Sequence, residues 1–159
     1  MNRRAQSAIE FLTTYAWAFI VIAIVIGAIA YFGVLTPQKV LPERCTFNVA
    51  FNCQAYSLAT TGIFKLRVKN GEGATIDMVK ANVIKEDGAP FACAFQGAVP
   101  VGWKLGEVKD LTWTGCNLAT AGFVAGDKAK VLVNMTYFET AVGAGYTKLA
   151  QGEVFTTVT

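Results

Sequence analysis

From Phe11 to Leu35 the chain contains no Asp, Glu, Lys or Arg. This run restricts what the chain can fold into more than any other feature. Phe11 to Phe32 is long enough, at about 1.5 Å per helical residue, to cross a hydrocarbon core of about 30 Å. The apolar residues surround the helix instead of forming one stripe, so it must be covered on all sides by lipid or protein. Gly33 and Pro37 punctuate its end. Ser7, with Glu10 three residues on, has the form of a capping box at its start.

The run also accounts for the skewed composition, 53% hydrophobic and only 16% charged. From about Val40 onward enough chain remains to bury a core of its own. The net charge is +3, of which Arg3 and Arg4 supply two, leaving +1. No basic patch with interleaved aromatics occurs elsewhere, which argues against nucleic acid as a partner. The chain has no histidine, hence neither the commonest general base nor an imidazole metal ligand. Serines are few, and the carboxylates beyond Glu10 are scattered on turns. The expectation is a non-enzymatic chain with no cofactor and no metal. Lys65, Arg67 and Lys69 are read as a solvated strand face, and the Gly71-Glu72-Gly73 and Gly143-Ala144-Gly145 segments as turns, not phosphate loops.

All four cysteines, Cys45, Cys53, Cys93 and Cys116, follow the hydrophobic run, and none forms a C-x-x-C pair. An even number in an exported region points to two disulfides. Of three connectivities, Cys45–Cys53 and Cys93–Cys116 are favoured because both loops are short. Four buried free thiols are the alternative.

Beyond residue 43 the hydrophobic period becomes two. Phe64, Leu66 and Val68 alternate with Lys65, Arg67 and Lys69; Val79, Ala81 and Val83 with Lys80 and Asn82. Ala129, Val131, Val133, Met135 and Tyr137 alternate with Lys130, Leu132, Asn134 and Thr136. Each reads as a half-buried strand. Turns at Asn70-Gly71, Asp87-Gly88, Gly126-Asp127 and Gly143-Ala144-Gly145 separate them. Tyr146 to Val158 reads as a last strand broken at Gly152. The predicted fold is α+β: a long hydrophobic N-terminal helix, then an all-β, Ig-like sandwich of about seven strands, with no helix after residue 36. Trp103, Trp113, Phe91, Phe95 and Phe123 are assigned to its core. Asn134-Met135-Thr136 is an N-glycosylation sequon with Asn134 on the outward face of its strand.

Arg3 and Arg4 before the run place the N-terminus in the cytoplasm and the remainder outside. A conventional secretory signal would be cut after Ala28-Ile29-Ala30, but the run is longer than an ordinary signal core and Glu10 interrupts its charged-then-apolar order. Arg3-Arg4-Ala5, Gln6-Ser7-Ala8-Ile9-Glu10 and the helix opening Phe11-Leu12-Thr13-Thr14-Tyr15-Ala16-Trp17-Ala18 follow a different grammar. Over roughly its first 35 residues the chain resembles archaeal type IV pilins with class III signal peptides. Ala5 stands where Gly is common in that family.

The resemblance implies a leader at 1–5, a transmembrane and filament-core helix at 6–35, a linker at 36–43 and a head at 44–159, the lollipop form of a pilin. It implies cleavage between Ala5 and Gln6 by a prepilin peptidase, with Glu10 fifth in the mature chain. It also implies export through a pilus assembly platform and polymerisation of identical subunits into an extracellular helical filament for adhesion. A membrane-anchored β-domain serving as a binding module, a minor pilin or pseudopilin, an archaellin-type subunit, and a soluble domain released at Ala30 are the competing readings. Cleavage would remove both leader arginines and create a cationic amine at Gln6, one helical turn from Glu10. A carboxylate among apolar helices is costly unless paired, so Glu10 would set the register between copies.

Overall fold

The structure, a computed structural model, describes residues 3–32, 41–49, 51–88 and 91–159, without the side chains of 3–8 and 11–12. The chain divides into two compact units, Met1–Leu41 and Pro42–Thr159.

The first unit is helix α1, Arg3–Tyr31. Phe32 closes its last turn, its N–H donating to Ala28 O at 2.9 Å. The helix already includes Arg3, so Ser7 is an interior residue and not the N-cap expected of a capping box. Arg4, Ala5 and Gln6 are good helix formers and carry the helix back past that point. Residues 33–35 of the expected helix, Gly33, Pro37 and linker residues 36–40 lie outside the described residues.

The second unit is an all-β domain of two antiparallel four-stranded sheets. Its strands are β1 (Arg44–Phe47), β2 (Phe51–Ala59), β3 (Ile63–Asn70), β4 (Ile76–Lys85), β5 (Ala94–Phe95), β6 (Val108–Thr114), β7 (Lys128–Glu139) and β8 (Lys148–Thr157). The first sheet runs β1-β8-β7-β4 and the second β2-β3-β6-β5. There are eight named strands among the described residues, one more than expected, because β5 has only two residues and shows no alternation.

Alternation positions the core. β3 buries Phe64, Leu66, Val68 and Asn70 and exposes Lys65, Arg67 and Lys69. β7 buries Ala129, Val131, Val133, Met135 and Tyr137. These residues, with Trp103, Trp113 and Phe91, form one cluster shared by both sheets. The tryptophan N–H groups are satisfied inside it: Trp103 Nε1 donates to Glu107 O at 2.9 Å, and Trp113 Nε1 donates to Ala81 O at 3.2 Å. The second bond joins β6 of one sheet to β4 of the other.

Three expectations fail for local reasons. Val79 does not face the core with Ala81 and Val83; it is 49% exposed. A β-bulge between Met78 and Lys80 shifts the register, so Met78 takes the buried place. Gly152 does not interrupt the last strand; it lies within β8, opposite Phe47 of β1. A Cβ there would collide with the Phe47 ring, so glycine makes a seat for that ring. Finally, a one-turn helix, α2 (Leu118–Ala121), follows β6. Asn117 caps it by accepting from Thr120 N at 3.1 Å, and Gly122 ends it in the left-handed region.

Candidate assembly helix and head-domain surfaces

Taken by itself, the first unit is one helix with an apolar span, Thr13–Tyr31, that is long enough to cross a membrane. Trp17 is 67% exposed and Phe19 70%. The hydroxyls in this span place no demand on a partner. Thr13 Oγ1 donates to Ile9 O and Glu10 O at 3.0 Å, and Thr14 Oγ1 donates to Glu10 O at 2.9 Å. These bonds let threonine sit in apolar surroundings. Glu10 is an exposed residue of α1. Ala5 and Gln6 belong to the same helix by their backbone, and their side chains are outside the described residues. Gln6 and Glu10 lie four residues apart in continuous helix, about 6 Å along the axis, on one face.

The four cysteines form two disulfides, Cys45–Cys53 and Cys93–Cys116, the pairing favoured by loop length. The first joins β1 of one sheet to β2 of the other. The second joins the segment before β5 to the segment after β6, and Cys116 also receives the β2–β3 hairpin. Cys116 N donates to Gly62 O at 3.0 Å. Gly62 has φ +75°, and a Cβ on it would lie 2.6 Å from Cys116 O. No other residue type fits that approach without movement.

The chain enters the domain through a polar clamp that the sequence reading missed. Glu43 accepts from Thr157 N at 3.0 Å and from Thr157 Oγ1 at 2.5 Å. These two bonds hold the Glu43 carboxyl below its ordinary range. Arg44 next to it pairs with Glu153, which also takes Lys130 Nζ at 3.2 Å. Burial pushes the Glu153 carboxyl up, but the bonds from Arg44 and Lys130 outweigh it and the net shift is down. A second missed residue is Asn70, read only as a turn signal. It is fully buried, donating to Ala74 O at 3.0 Å and Trp103 O at 2.9 Å, while its Oδ1 accepts from Glu72 N at 2.9 Å. Asn-Gly after an alternating strand was the available signal; the burial was not visible.

Asn134 lies in the middle of β7, opposite Asn82 of β4 and Gln151 of β8. It is half-buried on the outer face, beside a shallow groove whose walls include Thr46, Asn48, Ile84 and Leu132. On the outer face of the second sheet Arg67 binds Asp110 with two parallel bonds, Nε at 2.6 Å and Nη2 at 2.7 Å. That pairing holds the Asp110 carboxyl down and commits the central charge of the basic face to a neighbour. No group of three or more His, Cys, Asp or Glu side chains able to hold a metal is found among the described residues.

These features define a class: an N-terminal apolar helix of the signal or membrane-anchor kind, joined in sequence to an all-β domain whose disulfides belong to an oxidising extracellular or periplasmic compartment. No family model and no curated protein matches the chain. Among solved structures it is similar to the one described as "Crystal Structure of the Periplasmic Chaperone SfaE", at 11% identity and a TM-score of 0.43, over 72% of this chain. The chain spans 57% of that chaperone's length. This distant likeness carries no functional argument.

Proposed function

We propose that the chain is the structural subunit of an archaeal type IV-like extracellular filament, a pilin that polymerises through α1 for adhesion. The observation that carries this reading is a membrane-length helix that is apolar on every face, in a protein whose second unit has a core cluster of its own. Such a helix must be covered by something else, first lipid and then other copies. The pilin-like start supports the second cover: Ala5-Gln6 as the peptidase site, and Glu10 one turn from the amine that cleavage creates. The precursor sits in the cytoplasmic membrane with its N-terminus inside, passes to the assembly platform, and ends in the filament as the partner of identical subunits. For the head we propose an Ig-like sandwich. Two antiparallel sheets share one core, and Trp113 hydrogen-bonds across it. Its strand order is its own, since constant-type domains set strands ABED against CFG.

Two measurements test the reading. Mass spectrometry of mature protein should find Gln6 as the first residue; a start near Tyr31 would establish a released domain, and a retained Met1 or Asn2 a simple anchor. Deleting 11–32 should yield a soluble monomer that builds no fibres, and normal polymerisation of that variant would refute the helix-core model.

A further inference from the structure

The sequon Asn134-Met135-Thr136 occupies an unusual place. Modified asparagines belong to surface loops, where the tripeptide can bend to present its amide to an enzyme. Here the tripeptide is in the middle of β7, hydrogen-bonded to a strand on each side, with Met135 fully buried between Val133 and Tyr137. The two faces of β7 impose opposite conditions. Outward, Asn134 borders the groove beside Asn48 and Leu132, which has room for a substituent on the amide. Inward, Met135 cannot leave the core without opening β7 against both β4 and β8. A strand with this many core contacts opens only with global unfolding, a state populated at about 10⁻³ to 10⁻⁶.

We propose that Asn134 is a glycan acceptor used only before β7 is paired, and that the folded head is refractory to modification. The co-reactant is a lipid-phosphate-linked oligosaccharide. The Asn134 amide nitrogen forms a bond to the anomeric carbon, and the bond from that carbon to the lipid phosphate oxygen breaks. The phosphate leaves with the electron pair, and the amide proton passes to a base of the transferase. Transfer and folding of the first sheet therefore compete, and slower folding raises occupancy. This proposal stands on the sequon and the sheet, independently of the filament reading.

The test uses the full chain with an oligosaccharyltransferase and a lipid-linked oligosaccharide. One sample is folded in detergent with both disulfides formed; the other is reduced, unfolded in urea and diluted into the reaction. Intact mass should show at least about tenfold more modification in the unfolded sample, as expected for a site that opens only globally. The product should vanish in N134Q. A control in the N134Q background carries A144N and Y146T, which put a sequon in the exposed turn between β7 and β8; it should be modified in both samples. Comparable modification of folded Asn134, or none in either sample while the control reacts, overturns the proposal.

Discussion

Gly152 shows how a single missing carbon settles a local structure. Phe47 lies across it, and the ring then reaches Phe51, with centroids 6.0 Å apart. Gly152→Ala should destabilise the head by about 1–3 kcal/mol through overpacking. Phe47→Ala costs stability alone, but in the Gly152→Ala background it should cost much less, because removing the ring there also removes the clash. Denaturant unfolding of the four chains of this cycle measures the coupling; additive costs would show that the ring and the glycine are independent. Sequence reading took Gly152 as a strand break, the usual meaning of glycine in a strand, because its reason lies in a distant part of the chain. Val79 failed differently. Period two was correct after it, at Ala81 and Val83, and the bulge inserted one residue, which alternation cannot register. Asn70 was visible as a turn former, while its role as a buried hub depended on Trp103 arriving from another loop.

Among the elements, the long alternating strands β3 and β7 were legible, because one face of each is buried along its whole length. β1, β5 and α2 were not, since each has four residues or fewer and offers no period to read. β1 is also an element whose stability should depend on pH. It is an edge strand paired only with β8, and the residues at its start are fixed by Glu43 to Thr157 and by Arg44 to Glu153. Both carboxyls are depressed in the folded chain. A depressed carboxyl contributes stability above its unfolded value, about 4.3, and loses it as pH falls through the folded value. Protection of the Arg44–Phe47 amides, taken relative to the intrinsic exchange rate at each pH, should therefore fall below about pH 4, ahead of β7. Glu43→Gln should raise exchange at neutral pH and flatten the acid response. An unchanged acid response in that variant would mean that the clamp does not hold β1.

For the whole molecule, the division into a greasy helix and a β-domain was legible from where the charges lie, and the disulfide pairing from loop length. The strand order β1-β8-β7-β4 was not, because it depends on pairings between the two ends of the domain that no local pattern encodes. Charge also gives the sharpest test at this scale. On the filament reading, Glu10 is buried among apolar helices and must meet an amine. Glu10→Gln should leave cleavage before Gln6 intact and sharply lower the yield of sheared filaments. Pelleting and electron microscopy of surface fractions read the outcome, and undiminished yield would make the carboxylate dispensable.

The bridge from Cys45 to Cys53 has a mechanical consequence. Any pull arriving along the backbone through Pro42 meets Cys45 at the second residue of β1, and there the covalent route forks. One branch continues through residues 46–52; the other crosses directly into β2, in the opposite sheet. Tension is thus divided between both sheets within the first residues of the domain, and the short edge strand is spared from bearing it alone.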